Sequence, residues 1–233
     1  MLLAGLAFAP VVFIISYIYL RDKYDREPLR YMIISFLLGG LLIVPALFFE
    51  IRFSRLFNVP GDSWLSTLFQ CMIGIALIEE GCKYLALRFY LYSKKDFDEP
   101  YDGIVYAVTV SMGFAAVENL FYIYADSGGM QTAFLRMFTA VPGHAMFGVL
   151  MGFFVGLAKF SGSKTKAFVL RMLGLVAAII PHGLYDFFLF RVGNVQWFVI
   201  LALLVLLIGI FLALRAIRIH QADSPFIQEE NGE

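Results

Sequence analysis

The stretch VQWFVILALLVLLIGIFLAL, residues 195–214, carries no charge and is long enough as a helix to cross the roughly 30 Å hydrocarbon layer of a membrane. Runs of this kind recur along the chain, and they leave few folds open. In lipid every backbone N–H and C=O must find a partner inside the protein, which restricts spanning segments to helices and closed barrels. Apolar runs of about twenty residues are read as helices. They fall near residues 2–20, 31–49, 65–91, 102–124, 136–158, 167–189 and 195–214. The expected fold is all-α, a polytopic transmembrane helical bundle of about seven spans.

Composition agrees with that expectation. Of 233 residues, 61% are hydrophobic and 15% charged, well outside the balance of a soluble domain. The first apolar run has no positive charge before it and RDKYDR after it, the reverse of a secretory leader, so it reads as a retained helix. Basic residues then set the orientation. Thirteen lie in loops on one side, among them Arg21, Lys23, Lys94, Lys95, Lys159 and Lys164, against Arg52, Arg55, Arg136 and Arg191 on the other. The positive-inside rule puts the amino terminus outside and the carboxyl terminus in the cytoplasm.

Residues 1–215 are expected to form a single membrane-embedded domain, with 216–233 a short cytoplasmic tail. That tail, ending QADSPFIQEENGE, is polar, so it is expected to be mobile and His220 to be solvated. Net charge is zero, and without a basic domain or an aromatic-basic motif no nucleic-acid partner is expected. Cys71 and Cys82 lie about 16 Å apart along one helix at 1.5 Å per residue, too far to pair, and read as free thiols.

The chemistry must therefore lie in the membrane, where an ionisable side chain costs about 2.5 to 3.5 kcal/mol on insertion scales and needs a reason to be there. The candidates are Glu79, Glu80 and Lys83 on the third span, Glu118 and Asn119 on the fourth, His144 on the fifth, and His182 with Asp186 on the sixth. Lys83 follows Glu79 by four residues and Glu80 by three, so it can neutralise one glutamate and leave the other to work. His182 and Asp186 share a face by the same spacing. Glu79 and Glu80 fall near mid-bilayer, and the other groups between there and the outer leaflet, so the helices can aim their polar groups into one outward-opening cavity. Around the histidines, VPGHAMFG and IIPHGLYD bring proline and glycine together, which is expected to loosen the helix. Gly148, Gly152 and Gly156 form a small-residue stripe for close packing. Asp102 and Gly103 read as a helix cap.

Carboxylates and imidazoles in a dry cavity can activate water. In a metal-free scheme one glutamate takes a proton from water attacking a peptide carbonyl, while a histidine and Asn119 or Asp186 orient the water or stabilise the oxyanion. In a metal scheme His144, His182 and Glu118 or Asp186 would hold zinc, with Glu79 or Glu80 as base. No HExxH is present, and the metal-free scheme is preferred. GDSW at 61–64 lacks the second glycine of a rhomboid-like serine site, no Gly-x-Gly-Asp of the presenilin kind occurs, and YDG at 101–103 lacks the first motif of the membrane zinc proteases. Proton-coupled or ion transport is the rival from another class, because midplane acids and histidines also build proton relays. No clear inverted repeat supports it.

EEGCK (79–83), DGIVYAVTVSMGFAAVEN (102–119), PGHAMFG (142–148) and HGLYD (182–186), in order on consecutive spans, resemble the PrsW family of bacterial membrane proteases. They are more distantly similar to the glutamic CAAX prenyl and bacteriocin-processing proteases. The resemblance implies that Glu79 and Glu80 match the family's acidic pair, Glu118 and Asn119 its acidic-amide motif, His144 its first histidine, and His182 with Asp186 its second. Where the wider glutamic group has an arginine after the acidic pair and a histidine aligned with Glu118, this sequence has Lys83 and a glutamate. The implied activity is the first, extracytoplasmic cut in a single-span anti-sigma factor during a stress response, with membrane lipid as surroundings.

Overall fold

The computed structural model describes residues 2–57, 63–124, 129–193 and 195–227. Among them all regular structure is helical, and seven helical stretches are long and apolar enough to cross a membrane. The first is α1 (Leu2–Arg21). The second bends, with α2 (Leu29–Leu41) giving way to α3 (Ile43–Phe57) at Leu42. Pro45 has no N–H to return to the Leu41 carbonyl, so the ladder is cut there. The third is composite: α4 (Trp64–Phe69), a π-helical stretch Gln70–Ala76, and α5 (Leu77–Phe89).

Next come α6 (Pro100–Tyr124), then α7 (Gly129–Phe138) and α8 (Ala140–Lys159) separated at Thr139. The last two are α9 (Lys164–Arg191) and α10 (Phe198–Ala222). The prolines beside the histidines do less than expected. Pro142 sits in the first turn of α8, where an N–H has no helical acceptor anyway, and α9 runs unbroken through Pro181. Of GDSW, Gly61 and Asp62 lie outside the described residues, and Ser63 precedes α4.

Helix α6 is the axle of the bundle. Its most apolar window is 78% buried inside the protein, against 17% for α1, so protein rather than lipid surrounds it. Glycine makes the approach possible. A β-carbon on Gly113 would run into the backbone of Phe36, and one on Gly39 into that of Val110, so α2 and α6 cross backbone to backbone. On the other side Gly103 faces Gly152 and Gly156, which brings α8 equally close. The stripe on α8 is thus a packing surface, and Gly103 belongs to it rather than to a cap.

Asp102 does cap: its Oδ2 accepts the N–H groups of Asp98 and Glu99, both at 2.8 Å, a carboxylate at the third helical position reaching back while Pro100 opens the helix. His220 corrects the sequence reading. It is fully buried, its ring stacked on Phe153 at 4.3 Å, because α10 continues past residue 216 to Ala222 and lies against α8. Ser224 is buried as well. Cys71 and Cys82 are free and buried.

Candidate active site

Lys83 is the hub of the polar cluster. Its Nζ donates to Glu80 Oε1 at 2.7 Å and Glu79 Oε2 at 3.3 Å, the contacts that helical spacing allows on α5. It also reaches His144 Nδ1 on α8 at 3.1 Å and lies 4.2 Å from the centre of the Phe114 ring. Expected to neutralise one glutamate, it binds both, because the two carboxylates fold back over the same turn. An ammonium has only donors, so His144 accepts at Nδ1 and donates from Nε2 to Glu118 Oε2, 2.7 Å away.

From α9, His182 Nδ1 lies 2.9 Å from Glu80 Oε1 and Nε2 lies 3.4 Å from Asp186 Oδ2. Phe147 stacks on the His182 ring at 4.6 Å and fixes its plane. The candidates from α5, α6, α8 and α9 therefore converge, as their matching depths implied.

The two glutamates are not equivalent. Glu80 is fully buried, and its second oxygen, Oε2, has no hydrogen-bond partner. Glu79 lines a cavity of about 670 Å³, together with Glu118, His144, His182 and Asp186, amid apolar walls from α3, α6, α7, α9 and α10. Asn119 is buried away from it. The π-helical stretch lies directly before these glutamates, and its Met72 packs where a β-carbon on Gly183, next to His182, would stand 2.5 Å from the sulfur. The wider turn thus seats α9 against the acidic pair.

Two wall residues were not among the sequence candidates. Arg136 of α7 donates from Nη2 to Glu118 Oε2 and from Nε to Asn119 Oδ1, both at 2.7 Å, and its guanidinium lies 4.0 Å from the Tyr122 ring centre. Sequence reading gave it only a topological role. The signal for it was the need of an adjacent acid and amide at depth for a donor. Glu50 of α3 also lines the cavity.

Residues 27–214 match the family described as "PrsW family intramembrane metalloprotease". "Protease PrsW" of Bacillus subtilis (strain 168) is 39% identical over 80% of this chain and 82% of its own. "Protease PrsW" of Geobacillus kaustophilus (strain HTA426) is 38% identical over 78% of this chain and 76% of its own. No solved structure matches. This chain belongs to the PrsW family. PrsW membership and the seven candidate spans make it a membrane peptidase, a multi-pass protein of the bacterial cell membrane that acts on a protein substrate. Transport, the rival reading, loses its support.

The PrsW description implies a metal. The zinc ligands suggested by sequence do not assemble: both nitrogens of His144 are taken, by Lys83 and Glu118, and both of His182 face carboxylates. Among the described residues, the group with metal-like spacing is instead Glu79, Glu80 and His182, their ligand atoms within 4.8 Å of one another. Its donor types suit zinc. Lys83, however, holds its ammonium 2.7 Å and 3.3 Å from two of those donors, where a divalent ion would face an adjacent positive charge. A metal held there would have to displace the Lys83 ammonium from both carboxylates.

Proposed function

We propose that the chain is a glutamic endopeptidase of the membrane, with Glu79 as general base. The observation that carries this reading is the division of labour in the acidic pair: Glu79 faces the cavity, while Glu80 lies behind it, bound to Lys83 and His182. In the reaction Glu79 takes a proton from water as the water oxygen attacks the peptide carbonyl carbon. His182, anchored to Glu80 through Nδ1, turns the Nε2–H that rests 3.4 Å from Asp186 Oδ2 toward the oxyanion as charge builds there. The carbon–nitrogen bond then breaks, and the proton held by Glu79 passes to the leaving amine. His144, Glu118, Arg136 and Asn119 act as a brace that fixes Lys83 from the opposite side.

The substrate is a single-span membrane protein, and the family resemblance favours an anti-sigma factor receiving its first cut. Topology supports this. The cavity walls include the ends of α6 and α9, away from the loops that carry most basic residues, so with the amino terminus outside it opens on the extracytoplasmic side. The test is reconstitution with a single-span anti-sigma factor and mapping of the product ends. A cut on the extracytoplasmic side of the substrate's span is expected. Absence of cleavage by wild type, or a cut confined to the cytoplasmic side, refutes the proposal.

A further inference from the structure

The cavity wall carries one charged group that the mechanism leaves idle. Glu50 projects from α3 into the cavity that Glu79 also lines, and it has no hydrogen bond or ion pair among the described residues. The charged groups around it are Glu79, Glu118, Lys83, His182 and Asp186. None is available to it. Lys83 is held by Glu79, Glu80 and His144, and His182 by Glu80 and Asp186. The guanidinium of Arg136 is held by Glu118 and Asn119.

The apolar neighbours of Glu50 on the wall, Ile43 and Leu47 on its own helix, give it no donor either. An unpaired carboxylate at membrane depth is costly and is retained where something completes it. The cavity that must accept the substrate chain thus carries an acid besides the base, with its own cations already spent.

We propose that Glu50 is a specificity-determining residue that pairs with a basic side chain, lysine or arginine, close to the scissile bond of the substrate. The inference rests on the protease reading and adds the chemical class of residue selected. An ion pair formed between apolar walls gains Coulomb attraction that offsets the cost of taking both partners out of water, and neither finds another partner there. A basic side chain is favoured over a free terminal amine because an endopeptidase meets its substrate in mid-chain.

The test uses the full-length enzyme in proteoliposomes with single-span substrates in which lysine is moved one position at a time across the cleavage region. Wild type is expected to favour one lysine register over its alanine counterpart by about tenfold in kcat/KM, the size of a 1.4 kcal/mol pairing. Acetylation of that lysine abolishes the preference, whereas acetylation of the substrate's amino terminus leaves it. Glu50→Gln brings the ratio to about one, and Glu50→Lys inverts it toward glutamate. Cleavage with no lysine preference in wild type, or a preference unchanged in Glu50→Gln, overturns the assignment of Glu50 alone. Failure of wild type to cleave any substrate overturns the protease reading with it. The acetylated substrates probe wild type only, so a misfolded variant does not remove the test.

Discussion

Arg136 Nη2 lies 2.7 Å from Glu118 Oε2, the oxygen that His144 Nε2 also reaches at 2.7 Å. A guanidinium and an imidazole share one acceptor, and through His144 that acceptor is tied to Lys83 and the acidic pair.

Loss of Arg136 should therefore act at a distance. Arg136→Gln removes the charge that compensates Glu118, an exchange that costs on the order of 3–5 kcal/mol in a fully buried pair and less here, where both side chains retain some exposure. The expected outcome is a drop in kcat of at least about tenfold. Arg136→Lys should recover part of it, because a lysine restores the charge but not the two-pronged grip on Glu118 and Asn119. Steady-state kinetics on the variants measures this.

Lys83 has the second diagnostic role. Lys83→Met leaves Glu79 and Glu80 without their cation and should abolish cleavage and lower thermal stability in detergent. It also removes the charge that opposes a divalent ion, so zinc affinity should rise, as measured by metal binding to the purified variant. Wild type should keep its activity after chelation. Activity lost to the chelator and restored by zinc would contradict the metal-free scheme.

Packing around α6 gives a stability contrast. A β-carbon on Gly152 would strike the backbone of Gly103, and overpacking of that kind costs about 1–3 kcal/mol. Gly81 has nothing within 4 Å of the same position, and alanine there improves helix propensity by up to about 1 kcal/mol. Thermal unfolding should show Gly152→Ala destabilised and Gly81→Ala unchanged or more stable.

The end of the bundle opposite the cavity should respond to pH. Burial raises the Asp22 carboxyl to about 7, against a hydrogen bond from the Glu27 amide, and raises Glu27 to about 8, against a hydrogen bond from Tyr106. Asp25, Asp98 and Glu99 add negative charge there, and Arg26 partly offsets it. A carboxyl raised on folding favours the folded state while protonated. That stabilisation is complete below the ordinary carboxylate range near 4 and is lost as pH climbs through about 7 to 8. Melting temperature should fall over that interval, and Asp22→Asn with Glu27→Gln should flatten the slope.

Sequence made the bundle legible because hydropathy is the one strong signal a membrane span emits, and it made Glu79, Glu80, Glu118, His144 and His182 legible because polar groups at depth are too costly to be accidental. Arg136 was hidden by its place near a span end, where a basic residue ordinarily reports topology. Glu50 fell just past the expected edge of its span. The π-helical stretch, whose Met72 packs against Gly183, leaves no mark in apolar spacing. His220 looked solvated because its sequence neighbours are polar, yet the apolar face of α10 carries it beneath Phe153.

Cleavage of a reconstituted single-span substrate by Glu79→Gln, after removal of metal and beside wild type and Glu80→Gln, bears on the central claim most directly. The division between a cavity-facing base and a buried partner predicts that Glu79→Gln abolishes turnover while substrate binding persists, with wild type active in the same buffer. Undiminished cleavage by Glu79→Gln would contradict it.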